Sequence, residues 1–221
     1  MLYRLRTDVE KMIKENRINQ KDEIGMTPLM WACINYDMDL LDELLSLGAD
    51  PNIQNSYKDT ALIYACEIEN QYMVERLLEC GAEINEQNDS KDTALIYACR
   101  KGNKNIVEIL LEQGADPNMQ NYYKDTALIY ACENGNKEIV ELLLEYGAEM
   151  DIQNLNGDTA LMYACSNGNE HIVYILVREG AKIKIENSRE NTAIKCAELR
   201  GNQEIVKLLK DNVYTIPDII R

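Results

Sequence analysis

Phenylalanine is absent from this 221-residue chain, and tryptophan and histidine occur once each. The lone histidine, His171, falls in register with Asn105, Glu138 and Glu204, positions that read as solvent-facing. It therefore makes neither a catalytic triad nor a metal site. No glycine-rich phosphate loop, CxxC pair or HExxH helix occurs. No apolar run approaches the roughly 18 to 20 residues that a membrane-spanning helix needs. The opening MLYRLRTDVEKM places Arg4, Arg6 and Asp8 where a secretory signal requires an uninterrupted apolar stretch. These absences point to a cytoplasmic or nuclear setting, unless the chain is a fragment of something longer. Positive charge is also short: 23 Lys and Arg against 38 Asp and Glu leave a net charge of -15. Nucleic acid and anionic membranes both demand a basic face, so neither is expected as a partner. A basic partner suits the charge better, although acidity also serves plain solubility. With 46% hydrophobic residues the chain has enough apolar surface for a real core.

What is present is repetition. Thr27, Thr60, Thr93, Thr126, Thr159 and Thr192 are each 33 residues from the next. They open the phrases TPLMWAC, TALIYAC three times, TALMYAC and TAIKCAE. A second phrase follows the first five at a fixed distance, from Gly48-Ala49-Asp50-Pro51-Asn52 to Gly180-Ala181-Lys182-Ile183-Lys184. Between the two lies a helical pattern, clearest in Ile106, Val107, Leu110 and Leu111, which share one stripe. Each unit reads as two short helices and a loop. The threonine serves as N-cap, Pro28 sits at the first helical position of unit one, and Gly102, Gly135, Gly168 or Gly201 breaks the pair. The Gly-Ala glycine ends the second helix. Absent phenylalanine and near-identical phrases fit recent duplication or design equally well.

A 33-residue period, a TPL-like opening, a glycine turn and a GADxN ending resemble the ankyrin repeat, from about Asp22 to the last residues. The resemblance implies an all-α repeat protein, an ankyrin-like solenoid of helix-turn-helix units with hairpin-like loops projecting at Asn55–Asp59 and its equivalents. The expected units are a capping half-repeat over 1–21, repeats at 22–54, 55–87, 88–120, 121–153 and 154–186, and a sixth repeat with its cap at 187–221. Within the half-repeat, Val9, Met12 and Ile13 share one face of Asp8–Asn19. There are departures. The histidine usual after TPL is replaced by Met30, Ile63, Ile96, Ile129, Met162 and Lys195, so its polar bonds should be lost. Lys58, Lys91 and Lys124 occupy a loop position normally held by glycine, where a left-handed backbone costs about 1–2 kcal/mol per residue. Tyr36 and Glu69 replace the inter-helix glycine of the first two repeats. Lys195, Lys207 and Lys210 suit a terminal repeat with a polar outer side.

Cys33, Cys66, Cys99, Cys132 and Cys165 recur once per repeat. Stacked helices lie about 8–10 Å apart, too far for a disulfide between equivalent positions. Leu62, Ala65 and Cys66 share a helix face, so the thiol reads as a small buried packing group, with Cys80 and Cys196 less clearly assigned. No convergent acid and base pair appears. We expect no enzyme, no cofactor and no metal.

If Leu62, Ala65 and Cys66 point inward, then Ala61, Tyr64 and the Glu67-Ile68 pair point away, onto what the resemblance makes the concave side. Down the repeats this gives an aromatic column of Trp31, Tyr64, Tyr97, Tyr130 and Tyr163, ending at Cys196. Beside it runs an acidic row of Asp59, Asp92, Asp125 and Asp158. Tyrosine and tryptophan suit binding hot spots, and cations could stack on them and pair with the aspartates. The aspartates also favour helix N-termini without any ligand, and the tyrosines equally suit packing between neighbouring helices. Residues that vary between repeats speak to specificity: Arg100-Lys101 after the third Ala-Cys pair, and Tyr57, Tyr122 and Tyr123 at loop tips. Four repeat steps of about 10 Å would take roughly 12 residues of extended peptide. The leading expectation is a monomeric scaffold for a protein or peptide, basic if charge guides the encounter. The alternative is a structural spacer or regulatory arm of a larger protein.

Overall fold

A computed structural model describes the backbone of residues 13, 15 and 17–215. The expected half-repeat at Asp8–Asn19 falls largely outside the described residues, as does most of the tail from Val213. Twelve helices and no strand occur among the described residues. In chain order they are α1 (Pro28–Ile34), α2 (Met38–Ser46), α3 (Ala61–Glu67), α4 (Gln71–Glu79), α5 (Ala94–Lys101) and α6 (Lys104–Glu112), followed by α7 (Ala127–Asn134), α8 (Lys137–Glu145), α9 (Ala160–Asn167), α10 (Glu170–Arg178), α11 (Ala193–Arg200) and α12 (Gln203–Thr215). The chain divides into two compact units, up to Asp116 and from Pro117 onward. In the first, α1, α3 and α5 stack side by side while α2, α4 and α6 form a second layer behind them. In the second, α7, α9 and α11 stack likewise, backed by α8, α10 and α12. The molecule is an all-α repeat solenoid.

The helix starts follow from the threonines. Each stands in extended backbone, and its Oγ1 accepts the backbone N–H three residues on, from Met30 and Ile63 (3.3 Å each) to Lys195 (3.4 Å). The cap satisfies one of the donors a helix start leaves unpaired, and it does so at the residue that replaces the family histidine. Asp37, Asn70 and Asn103 cap α2, α4 and α6 in the same way. Gly102 closes α5 in the left-handed region at φ 79°, where a Cβ costs most. Tyr36 and Glu69 accept that conformation without glycine, at φ 55° and 58°.

Packing comes from the expected stripe: Ile106, Val107 and Leu110 are fully buried and Leu111 nearly so. Burying each such side chain contributes about 1.5–3 kcal/mol. The recurrent cysteines are fully buried too, and burial pushes the Cys33 thiol up to about 12. None of the seven is in a disulfide, and only Cys80 is exposed. One orientation differs from expectation. Ala61 is 1% exposed rather than outward-facing, as are its equivalents Ala94, Ala127, Ala160 and Ala193. Within the units α3 is flanked by α1 and α5, and α9 by α7 and α11, so only a narrow strip of each stays open.

The loop tips keep the glycine-type backbone. Lys58, Lys91, Lys124 and Glu190 stand at φ 56–60° where Gly157 stands at 76°. Neighbouring tips bond to each other, Asp89 N–H to the Tyr57 carbonyl and Leu155 N–H to the Tyr123 carbonyl, both at 2.9 Å.

Candidate interaction surface

In the first unit the open strip carries Trp31, Tyr64 and Tyr97, all half-buried. Their polar ends are already engaged. Trp31 Nε1 donates to Asp22 at 3.0 Å. The Tyr64 hydroxyl accepts from Asn55 Nδ2 at 2.8 Å, and the Tyr97 hydroxyl from Asn88 Nδ2 at 3.3 Å. In the second unit Asn121 and Asn154 hold the Tyr130 and Tyr163 hydroxyls at 3.0 and 3.1 Å. These bonds hold the rings in a fixed orientation.

The asparagines are the organising residues here. Asn55, Asn88, Asn121 and Asn154 are buried and recur at the repeat period, with Asn187 continuing the series half-exposed. Asn154 shows the full pattern. Its Oδ1 accepts the backbone N–H of Asn156 and of Asp158, both at 3.0 Å, which shapes its own loop tip. Its Nδ2 donates to Tyr163 and to Asp125 Oδ1 of the preceding repeat, the latter at 2.8 Å. Asn88 likewise reaches Asp59 at 2.8 Å, and Asn187 reaches Asp158 at 2.6 Å. The acidic row is thus tied into repeat-to-repeat bonds. Asp92 carries a salt bridge of 3.0 Å from Arg100, with only 6% of its side chain exposed. Sequence reasoning missed this asparagine series, although its 33-residue spacing is as regular as that of the threonines.

Arg100 lies over the Tyr97 ring, 4.3 Å from its centroid, and remains exposed. Lys101 beside it is exposed. Burial and the Asp59 carboxylate push the Tyr64 phenol up to about 12, and burial likewise raises Tyr97 and Tyr163. Tyr57, Tyr122 and Tyr123 are more than 60% exposed. The rings of Tyr122 and Tyr123 meet edge to face, 5.7 Å apart. In the second unit a cavity of about 300 Å³ opens where the column ends at Cys196. Glu133, Asp158, Tyr163, Ser166, Arg189 and Arg200 are among the residues that line it. Burial, then the nearby Asp125, raises the Glu133 carboxyl.

Among the described residues no group of His, Cys, Asp and Glu is placed to hold a metal, and no helix is long and apolar enough to cross a membrane. Two-helix repeats presenting rigid side chains on one strip define a class of repeat solenoid that works by contact. The family model described as "Ankyrin repeats (3 copies)" matches residues 4–88, 67–154 and 146–218. The chain belongs to the ankyrin repeat family, whose repeats generally mediate protein–protein interaction. The crystal structure of the ankyrin repeat domain of Bcl-3 superposes with a TM-score of 0.79 at 28% identity, covering 91% of this chain and 90% of that one. Ankyrin repeat family A protein 2 from Mus musculus and from Homo sapiens is 43% identical over 61 residues. That match spans 28% of this chain and 18% of each relative.

Proposed function

We propose that the chain is a non-enzymatic binding module that takes an extended or loop-like basic segment of another protein against the first-helix strips and loop tips. The observation carrying this reading is the set of half-exposed aromatic rings whose hydroxyls are pinned by buried asparagines. Rings already fixed in place lose little conformational freedom on binding, which is the main expense of an interface. Tyr57, Tyr122 and Tyr123 add exposed aromatic area at the tips. The net charge of -15 favours a basic segment and speeds its encounter. Asp59, Asp92, Asp125 and Asp158 contribute to that field while serving the fold. Cysteines outside any disulfide suit a reducing cytoplasmic or nuclear setting.

A displayed library of random peptides of roughly 12 residues, long enough for the strip of either unit, tests the proposal. Selected peptides should be enriched in Lys and Arg. They should bind at least tenfold more weakly to a folded Tyr64→Ala, Tyr97→Ala, Tyr130→Ala variant and more weakly in high salt. Peptides indifferent to both would overturn the reading and leave the chain as a spacer or regulatory arm.

A further inference from the structure

The third and fifth repeats invite a direct comparison. In the third, Arg100 stacks on Tyr97 and bonds Oδ2 of Asp92, so one guanidinium satisfies a ring face and a carboxylate together. Two repeats on, the same register holds Tyr163 and Asp158, but the residue in the place of Arg100 is Ser166. Serine is too short to cover the ring. The vacated space is part of the cavity of about 300 Å³, and Tyr163, Asp158 and Ser166 all line it. Cys196, where the next aromatic of the column would stand, widens it further.

We propose that this cavity is a receptor for one arginine side chain of a partner, whose guanidinium lies on the Tyr163 ring and pairs with Asp158, as Arg100 does on Tyr97 and Asp92. Asp158 spends Oδ1 on Asn187, and Oδ2 corresponds to the atom that Arg100 bonds on Asp92. Glu133 supplies a second carboxylate on the wall. The volume sits at the small end of the range for ligand sites, roughly 300–1,000 Å³, which suits a single long side chain. A planar guanidinium stacks and forks at once, whereas an ammonium does not, so arginine is favoured over lysine. Arg189 and Arg200 also line the cavity and can pair with a carboxylate next to the incoming arginine. The inference rests on the binding-module reading and specifies one of its contacts.

Met162 lines the cavity and reports on it. In the full chain with labelled methionine methyl groups, N-acetyl-arginine amide should shift the Met162 resonance saturably, at about millimolar affinity. N-acetyl-lysine amide should bind more weakly and N-acetyl-glutamate amide should have no effect. Asp158→Asn should weaken the arginine probe about tenfold. Ser166→Arg, which rebuilds the third-repeat arrangement from within, should abolish binding while the protein stays folded. Should Asp158→Asn fail to fold, the Ser166 variant alone decides. Equal responses to arginine and lysine, a response to the glutamate probe instead, or binding that survives in Ser166→Arg would each overturn the proposal. If the arginine probe fails while library peptides still depend on the tyrosines, only this inference falls. If no basic peptides are selected either, the underlying reading falls with it.

Discussion

A lysine at a left-handed tip is the clearest local tension in the molecule. Lys91 holds φ 56° in a position where the equivalent Gly157 holds 76°. A non-glycine residue there costs about 1–2 kcal/mol, whereas glycine loses about 0.5–1 kcal/mol more chain entropy on folding. The strain is larger, so Lys91→Gly should stabilise the protein by about 0.5–1 kcal/mol in urea unfolding. The reverse change is harsher. A Cβ on Gly157 would stand 2.9 Å from the Asn187 Cα, and Gly157→Ala should destabilise by about 1–3 kcal/mol in the same measurement. The lysine position is legible in the sequence as a departure from the family pattern, together with its cost. That the backbone keeps the strained form follows from its surroundings: Asn88 Oδ1 binds the N–H groups of Ser90 and Asp92, and Gln87 Nε2 binds the Lys91 carbonyl at 2.7 Å.

Between elements, the asparagine node is the principal polar fastening. Asn154→Ala removes bonds to two backbone N–H groups, to Tyr163 and to Asp125. Losing a buried, fully bonded amide should cost about 2–3 kcal/mol in thermal or urea unfolding. Asn156→Ala, at the exposed tip, should stay within about 0.5 kcal/mol. The helices are legible in the sequence because threonine caps, apolar stripes and glycine breaks agree in every copy. The partners of the aspartates are not. Helix-start chemistry alone accounts for Asp59 or Asp125 beside a threonine, so nothing local signals that the carboxylate belongs to an amide 29 residues further on. The burial of Ala61 is hidden for a related reason, since a single helix does not reveal that both its flanks are covered. The cavity beside Cys196 is lined by two small residues, Ser166 and Cys196, that only the fold brings to one place.

For the molecule as a whole, the phenols of the column make stability depend on alkaline pH. The Tyr64 phenol is raised to about 12 by burial and by Asp59, against an ordinary value near 10 in the unfolded chain. Its folded-state value lies above the unfolded one, so its contribution is fully present below about pH 10 and is lost as pH climbs toward about 12. Tyr97 and Tyr163 act in the same direction. Urea midpoints taken stepwise across this window should fall, and Tyr64→Phe should make the decline shallower.

The amides of Asn88, Asn154 and Asn187, each reaching back to a carboxylate on the repeat before, give those copies a head and a tail. Within each unit the donor faces one way along the chain and the acceptor the other. A reversed copy would set amide against amide, so such a chain can lengthen only in one sense, by whole copies joined at matching positions. A copy of 33 residues added in frame meets that demand automatically, whether by duplication or by design, and TALIYAC stands three times in succession.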